Sequence, residues 1–220
     1  MVLAPLLLLA GVLLRVQVPF FFPHQIAAVT EQPRLMLISY SLVLAAHLTM
    51  WPGVVMLAQS IGQQRPGLAT WGGALVIFGT GARIFHAGVD HLAFQLVHGL
   101  GPAAATTAIA DSYGAFHVAA ALSPVIMAGW IVLAVGAYRA AVLGPSRAVA
   151  LALMSALMIG VLKGTHWTSV LAAAGLCIAF VPTGLGTMRR EASGSLGLVL
   201  AQMALTAAAI AALLHIGRLG

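Results

Sequence analysis

Charged side chains are scarce in this sequence. Only 6% of the 220 residues are Asp, Glu, Lys or Arg, and four are acidic, whereas a soluble chain carries about 25% charged residues. Hydrophobic residues make up 61% of the chain. A soluble domain of this length cannot bury so much apolar surface. The composition therefore predicts an all-α integral membrane helical bundle, with residues 1–220 forming a single transmembrane domain.

Cysteine and clustered positive charge are also nearly absent. The single cysteine, Cys177, excludes an intramolecular disulfide and a cysteine-based zinc site. Most of the arginines are scattered at the ends of apolar runs, as the positive-inside rule requires, so the net charge of +6 does not indicate nucleic-acid binding. No nucleotide motif, glycine-rich phosphate loop or Ser/His/Asp triad is evident. The sequence therefore argues against nucleotide-dependent enzymes and nucleic-acid binders.

Apolar runs separated by turn signals such as Pro66 and Gly67 predict seven transmembrane helices. Their ranges are 3–22, 35–60, 69–97, 114–138, 148–163, 167–187 and 196–216. An Ala/Thr-rich loop that carries Asp111 is expected between the third and fourth spans. A six-span alternative fuses the fifth and sixth spans across residues 163–166.

The basic residues predict the orientation of these spans. Seven crossings place five arginines on one side of the membrane: Arg65, Arg139, Arg147, Arg189 and Arg190. Three basic residues fall on the other side: Arg34, Lys163 and Arg218. The bias predicts a multi-pass protein of the cell membrane with a cytoplasmic N-terminus and an external C-terminus.

Ionisable side chains gather in and just beyond the third span. At 100° per residue, five of them fall within an arc of about 140° on one helix face: Arg83, His86, Asp90, His91 and His98. Such groups are costly in a bilayer and usually face a protein interior or a wet cavity. His86 and Asp90 are one turn apart, so with Arg83 they form a candidate proton donor or acceptor. A buried ion pair that only fixes helix packing is the alternative.

Other polar and aromatic residues are candidates for the same site. Asp111 and Glu31 are possible further acids at the mouth of the cavity, although Asp111 is also suited to cap the fourth span. The candidate substrate-binding residues are Trp51, His47, His117 and Tyr113. Trp51 lies well inside the second span, where its π face can stabilise a cation.

Two further basic residues have alternative interpretations. Arg15 lies in an apolar run, where it can snorkel, pair with an acid or close the outer end of the cavity. Lys163 lies between Gly160 and Gly164, in a small-x-x-x-small pattern that favours close helix packing.

The eight histidines also raise the question of a metal or haem. The candidate ligands are His91, His98, His117 and His166. Facing histidines can hold haem by two imidazoles, or copper or zinc by three. However, the sequence has no His-x-x-x-His or Glu-x-x-His pair, so no cofactor is favoured and haem or copper is the alternative.

A few acid–base groups in an apolar cavity predict a membrane-embedded enzyme that protonates, cyclises or isomerises a lipophilic substrate. Asp90, with Asp111 or Glu31, would be the acid. In size, span count and sparse intramembrane acids, the chain resembles the small seven-helix membrane terpene cyclases. That resemblance implies cyclisation of a prenylated substrate without a metal or nucleotide. A haem or copper protein and a small transporter or sensor are the alternatives. Membrane lipid is the expected surrounding partner, and the oligomeric state stays open.

Overall fold

The computed structural model describes residues 1–112, 118–157 and 160–192. This part of the chain is helical, without strands. Its helices are α1 (Leu3–Leu14), α2 (Phe22–Glu31), α3 (Pro33–Gly62), α4 (Pro66–Leu100), α5 (Pro102–Ser112), α6 (Val118–Arg139), α7 (Pro145–Ala152) and α8 (Trp167–Ala192), with a 3₁₀ turn at Leu153–Ala156. The chain divides into two compact units, Met1–Val181 and Pro182–Gly220, and the last turns of α8 are the described part of the second.

Proline marks where four of these helices begin. Pro33, Pro66, Pro102 and Pro145 are the first residues of α3, α4, α5 and α7. The first helical N–H has no partner within the helix, so proline loses nothing there, and its fixed φ suits the helix. These boundaries can therefore be read from the sequence.

Four described helices are long and apolar enough to cross a membrane: Pro33–Gly62, Pro66–Leu100, Leu122–Arg139 and Trp167–Arg190. They correspond to the second, third, fourth and sixth predicted spans. The all-helical, membrane-type architecture therefore agrees with the prediction from composition.

The first and fifth predicted spans contain shorter helices than expected. α1 has 12 residues, while α7 has 8 and continues only through a 3₁₀ turn of 4. A helix rises about 1.5 Å per residue, so 12 residues extend about 18 Å, less than the ~30 Å hydrocarbon core. Non-helical backbone follows both helices, at residues 15–21 and 160–166.

The prediction of a loop after the third span was wrong. Residues 102–112 form α5, because Pro102 begins a helix and the alanines that follow favour its continuation. Asp111 therefore lies within α5 and not in the expected loop. The predicted seventh span, 196–216, lies outside the described residues.

Helices α4 and α6 pack closely through glycines. A Cβ on Gly72 would lie 2.9 Å from the Cα of Leu133, and one on Gly79 would overlap the side chain of Ile126 and lie 2.8 Å from its Cα. On α6, a Cβ on Gly129 would lie 2.8 Å from the backbone N of Val76. Small residues permit this close backbone approach, which drives helix association in membranes.

Helix α1 packs antiparallel against α3. A Cβ on Gly53 would lie 3.3 Å from the Cγ of Met1, so the start of α1 is near the later half of α3. Near the end of α1, the hydroxyl of Ser39 donates to the carbonyl of Gly11 at 2.6 Å. This pairing brings residue 15, just beyond α1, beside the first half of α3.

A side-chain contact fixes the start of α7 against α8. Pro182 has no N–H, so the carbonyl of Ile178 lacks its normal helical donor. The Nε of Arg147 donates to that carbonyl at 3.3 Å, and Nη2 of the same guanidinium donates to the carbonyl of Ala179. Arg147 thus donates to two α8 carbonyls within the first unit and holds the beginning of α7 beside Ile178 and Ala179.

Candidate functional site

A small polar cavity lies inside the first unit, where α1, α3 and α4 meet the non-helical segment before α8. Its volume is about 20 Å³, which is enough for a single water molecule. It is lined by Arg15, Tyr40, Val43, Leu44, His47, Arg83, His86, Ala87, Asp90, Gly160 and Lys163. The ionisable residues of α4 thus meet basic residues from two other parts of the chain.

Helix α4 contributes the centre of the cavity. Arg83, His86 and Asp90 all line it, and both His86 and Asp90 are buried. Their spacing places them on one helix face, as predicted from the sequence. His91 and His98, on the same predicted arc, are exposed and do not line the cavity. The face is therefore divided into a buried polar part and an exposed part.

Asp90 is held by the backbone of the segment 160–166. Its Oδ1 accepts a hydrogen bond from the N–H of Leu162 at 2.6 Å. Leu162 has a φ of 49° and Gly160 a φ of 151°. A positive φ costs energy in a branched residue such as leucine, so surrounding contacts must maintain it. Asp90 provides one of those contacts through Oδ1. Its Oδ2 is the second oxygen of the same carboxyl.

The segment 160–166 is also attached to the chain around the end of α1. The N–H of Gly164 donates to the carbonyl of Phe20 at 2.8 Å, and the hydroxyl of Thr165 donates to the carbonyl of Val12 at 3.2 Å. Non-helical backbone at membrane depth is tolerated where protein groups satisfy it or where it lines a cavity. In this segment protein groups accept from the N–H groups of Leu162 and Gly164, and Gly160 and Lys163 line the cavity.

Arg15 lies at the end of α1 with only 3% of its surface exposed. Its guanidinium carbon is 3.9 Å from the centre of the Tyr40 ring, a cation–π contact. Within the described part of the chain, its Nε and Nη1 are buried without a hydrogen-bond partner. Buried donors are nearly always paired, so these two N–H groups are exceptional.

Hydrogen bonds fix the orientation of the α3 side chains. The hydroxyl of Tyr40 donates to Oε1 of Gln25 at 3.1 Å, and Nε2 of Gln25 donates to the carbonyl of Pro19 at 2.8 Å. Two turns further into α3, Nδ1 of His47 lies 2.6 Å from the carbonyl of Val43. Because a carbonyl can only accept, Nδ1 carries the hydrogen, and Nε2 of a neutral imidazole is then an acceptor.

The cavity has an excess of positive charge. Arg15, Arg83 and Lys163 are basic, while Asp90 is the single acidic residue among the lining side chains. Buried charge is costly unless it is paired or carries out a function. The arrangement therefore suits a bound anion or a reaction in which negative charge develops.

The other predicted site residues lie elsewhere or outside the described residues. Glu31 and Asp111 are exposed, and Trp51 is 40% exposed and does not line the cavity. His47 is buried in the cavity wall, as described above. Tyr113 and His117 lie outside the described residues.

The proposed metal ligands do not assemble in the described residues. His91, His98 and His166 are exposed, while His117 is outside the described part. Across residues 1–112, 118–157 and 160–192, no three His, Cys, Asp or Glu side chains are close enough to hold a metal ion together.

Sequence reasoning did not identify Tyr40 or Gln25, and it assigned Lys163 to helix packing. Among the cavity residues outside α4, the one clear sequence signal was Arg15, an arginine within an apolar run. Tyr40 and Gln25 carry no sequence pattern that distinguishes them from ordinary helix residues. Their roles depend on contacts between α2, α3 and the chain after α1.

No protein-family model matches the chain. No curated protein and no solved structure matches it either.

Proposed function

We propose that this protein is a membrane-embedded enzyme that isomerises a lipophilic substrate by proton transfer at Asp90. The observation that carries the proposal is the buried pair of His86 and Asp90, one helical turn apart in the wall of a polar cavity. An acid–base pair enclosed in an apolar bundle suits proton transfer on a molecule dissolved in the membrane.

The hydrogen bond at Asp90 suggests how the carboxyl would act. Oδ1 is engaged by the N–H of Leu162, so Oδ2 is the oxygen that accepts or releases the proton. As a carboxylate, Asp90 would remove a proton from carbon beside a carbonyl or conjugated group. The proton would return at a different carbon, from Asp90 or through His86. One proton leaves and one returns, so this reaction consumes no cofactor.

The charge of the cavity favours isomerisation over cation-driven cyclisation. Arg15, Arg83 and Lys163 would repel a carbocation, whereas they would stabilise negative charge on a substrate oxygen. Proton abstraction places such charge on oxygen in the transition state. A cyclase reaction that begins with protonation would develop the opposite charge beside three cations.

The size of the cavity limits what enters it. At about 20 Å³ it accommodates one water-sized group, so the apolar body of the substrate would remain among the helices or lipid. Entry of the reacting atoms requires side chains or the segment 160–166 to move. Loops that move to admit substrate are common in enzymes.

The proposal predicts a product with the same mass as its substrate. Purified protein would be incubated with the lipid extract of its native host, and the extract analysed by chromatography and mass spectrometry. We expect one compound to decrease while an isomer of equal mass and different retention time increases. A boiled sample is the control, and an extract with no such isomer pair would contradict the proposal.

Transport is a second candidate, favoured by the two short helices that continue as non-helical backbone at the cavity. Transporter sites are often built from discontinuous helices of this kind. Transport moves its substrate unchanged, so the same extracts distinguish the candidates: an enzyme forms an isomer and a transporter does not.

We further propose that the chain crosses the cell membrane seven times, with the N-terminus in the cytoplasm and the C-terminus outside. In this proposal, α1 with residues 15–21 makes the first crossing, and the predicted span 148–163 makes the fifth. The antiparallel pairing of α1 with α3 supports the first of these two assignments. The seventh crossing is the apolar run 196–216.

Labelling of single cysteines in intact cells tests this topology. In a Cys177→Ser background, cysteines at Val2, Gln64 and Ser193 are expected to resist a membrane-impermeant maleimide until the cells are opened. The Gln64 site, between α3 and α4, is the control for a cytoplasmic position. Labelling of Val2 in intact cells would contradict the first crossing, and labelling of Ser193 would contradict the fifth.

A further inference from the structure

We infer that the molecule bound in this cavity carries a small oxyanion, a carboxylate or a phosphate, and that Arg15 binds it. The inference deepens the proposed function, since it concerns the same cavity and names the chemical class of its ligand. Its basis is independent of Asp90: Arg15 is 3% exposed, and its Nε and Nη1 have no hydrogen-bond partner among the described residues.

The unpaired donors of Arg15 are expensive in the absence of a ligand. Leaving a buried donor without an acceptor costs free energy, and the cost is larger when the group is charged. Proteins retain such unfavourable groups mainly at functional sites. An acceptor that carries negative charge would satisfy the charge and the hydrogen bonds of Arg15 together.

The geometry of the guanidinium suits an oxyanion. The guanidinium carbon lies 3.9 Å from the centre of the Tyr40 ring, while Nε and Nη1 have no hydrogen-bond partner among the described residues and could donate to a ligand. An arginine edge presents parallel N–H groups that match two oxygens of a carboxylate or phosphate. Nη2 pairs with Nε on one edge of the guanidinium and with Nη1 on the other, so each of the two unpartnered atoms belongs to one of these edges.

The surrounding charges favour an anion over a neutral ligand. Arg83 and Lys163 line the same cavity and add two positive charges, while Asp90 supplies one negative charge and directs Oδ1 to the N–H of Leu162. A monovalent oxyanion would therefore reduce the excess positive charge of the cavity, and a divalent oxyanion would balance it. A further cation would increase the excess.

The small volume indicates how much of the ligand enters. Space for one water-sized group accommodates one oxygen of an oxyanion without rearrangement. The remainder of the group would displace flexible side chains such as Lys163. Such an oxyanion can come from a free inorganic ion or from the end of an amphipathic molecule whose chain lies in the membrane.

Thermal unfolding of the purified protein in a non-ionic detergent tests the inference. The probes are inorganic phosphate, dodecyl phosphate and dodecanoate. The two dodecyl compounds are used below their micelle-forming concentrations, and each probe is compared with sodium chloride of equal ionic strength. At least one oxyanion is expected to raise the melting temperature of the wild type by about 2 °C or more above the chloride control. Stabilisation by phosphate alone indicates a free ion, and stabilisation by the dodecyl compounds alone indicates an amphipathic ligand.

Substitution of Arg15 provides the matched comparison. Arg15→Gln is expected to weaken oxyanion binding by roughly 10- to 100-fold, the usual effect of losing a charged hydrogen bond. Arg15→Lys, which keeps the charge, should retain part of the binding. Arg139→Gln, an exposed arginine at the end of α6, should bind as the wild type does.

The inference is overturned if no oxyanion stabilises the wild type beyond chloride, or if Arg15→Gln and Arg15→Lys both bind as tightly as the wild type. These outcomes are separate from those of the proposed reaction. Oxyanion binding without isomer formation would refute the chemistry and leave this inference intact. Isomerisation of a neutral substrate, with no oxyanion binding, would support the proposed chemistry and refute this inference.

Discussion

Asp90→Asn is expected to lower the rate of isomer formation by roughly 10²- to 10⁴-fold, the usual contribution of general acid–base catalysis. An amide neither accepts nor releases a proton at neutral pH. Its oxygen can still accept the hydrogen bond from the N–H of Leu162, so the segment 160–166 should keep its position. The loss should therefore appear in the rate, measured with purified protein, and not in the melting temperature.

Two other acidic residues provide controls for this substitution. Asp111→Asn and Glu31→Gln make the same chemical change at exposed positions that do not line the cavity. Both should retain the wild-type rate. His86→Ala should lower the rate, whereas His91→Ala and His98→Ala should have smaller effects. A haem or copper function predicts the opposite order, with loss of a bound chromophore or metal in histidine variants and a mild effect of Asp90→Asn.

Gly79→Ala is expected to destabilise the protein by about 1–3 kcal/mol, the usual cost of adding a methyl group where there is no space. A Cβ at Gly79 would overlap the side chain of Ile126 on α6. Gly81→Ala, two residues further along α4, is the matched control because a Cβ there meets nothing within 4 Å. It should be neutral or slightly stabilising, since alanine favours helix more than glycine does.

Thermal unfolding in detergent measures this difference. For a chain of this length, 1 kcal/mol corresponds to roughly 2–4 °C in melting temperature. Gly79→Ala should therefore melt several degrees below Gly81→Ala. Equal melting temperatures would contradict the close packing of α4 against α6.

Much of the helical framework could be predicted from the sequence. The apolar runs predicted α3, α4, α6 and α8, and Pro66 lies at a helix start where a turn signal was noted. Hydrophobicity could not reveal that the first and fifth predicted spans are only partly helical. Non-helical backbone buried in protein needs apolar side chains as much as a helix does, so residues such as Val18 and Leu162 resemble parts of a span.

The centre of the candidate site could also be predicted, but not its surroundings. The spacing of Arg83, His86 and Asp90 placed them on one helix face without knowledge of other helices. The contact of Asp90 with Leu162 joins residues 72 positions apart, and no local pattern predicts it. Likewise, Arg15 and Tyr40 meet only because α1 packs against α3. Long-range packing therefore supplied the basic residues that favour an oxyanion.

The most direct test of the central claim is the rate of isomer formation by purified wild type, Asp90→Asn and Asp111→Asn, measured side by side with melting temperatures. We expect all three proteins to melt at similar temperatures, Asp111→Asn to match the wild-type rate, and Asp90→Asn to fall to about 1% of it or less. A folded Asp90→Asn protein that forms the isomer at the wild-type rate would contradict the claim that Asp90 transfers the proton.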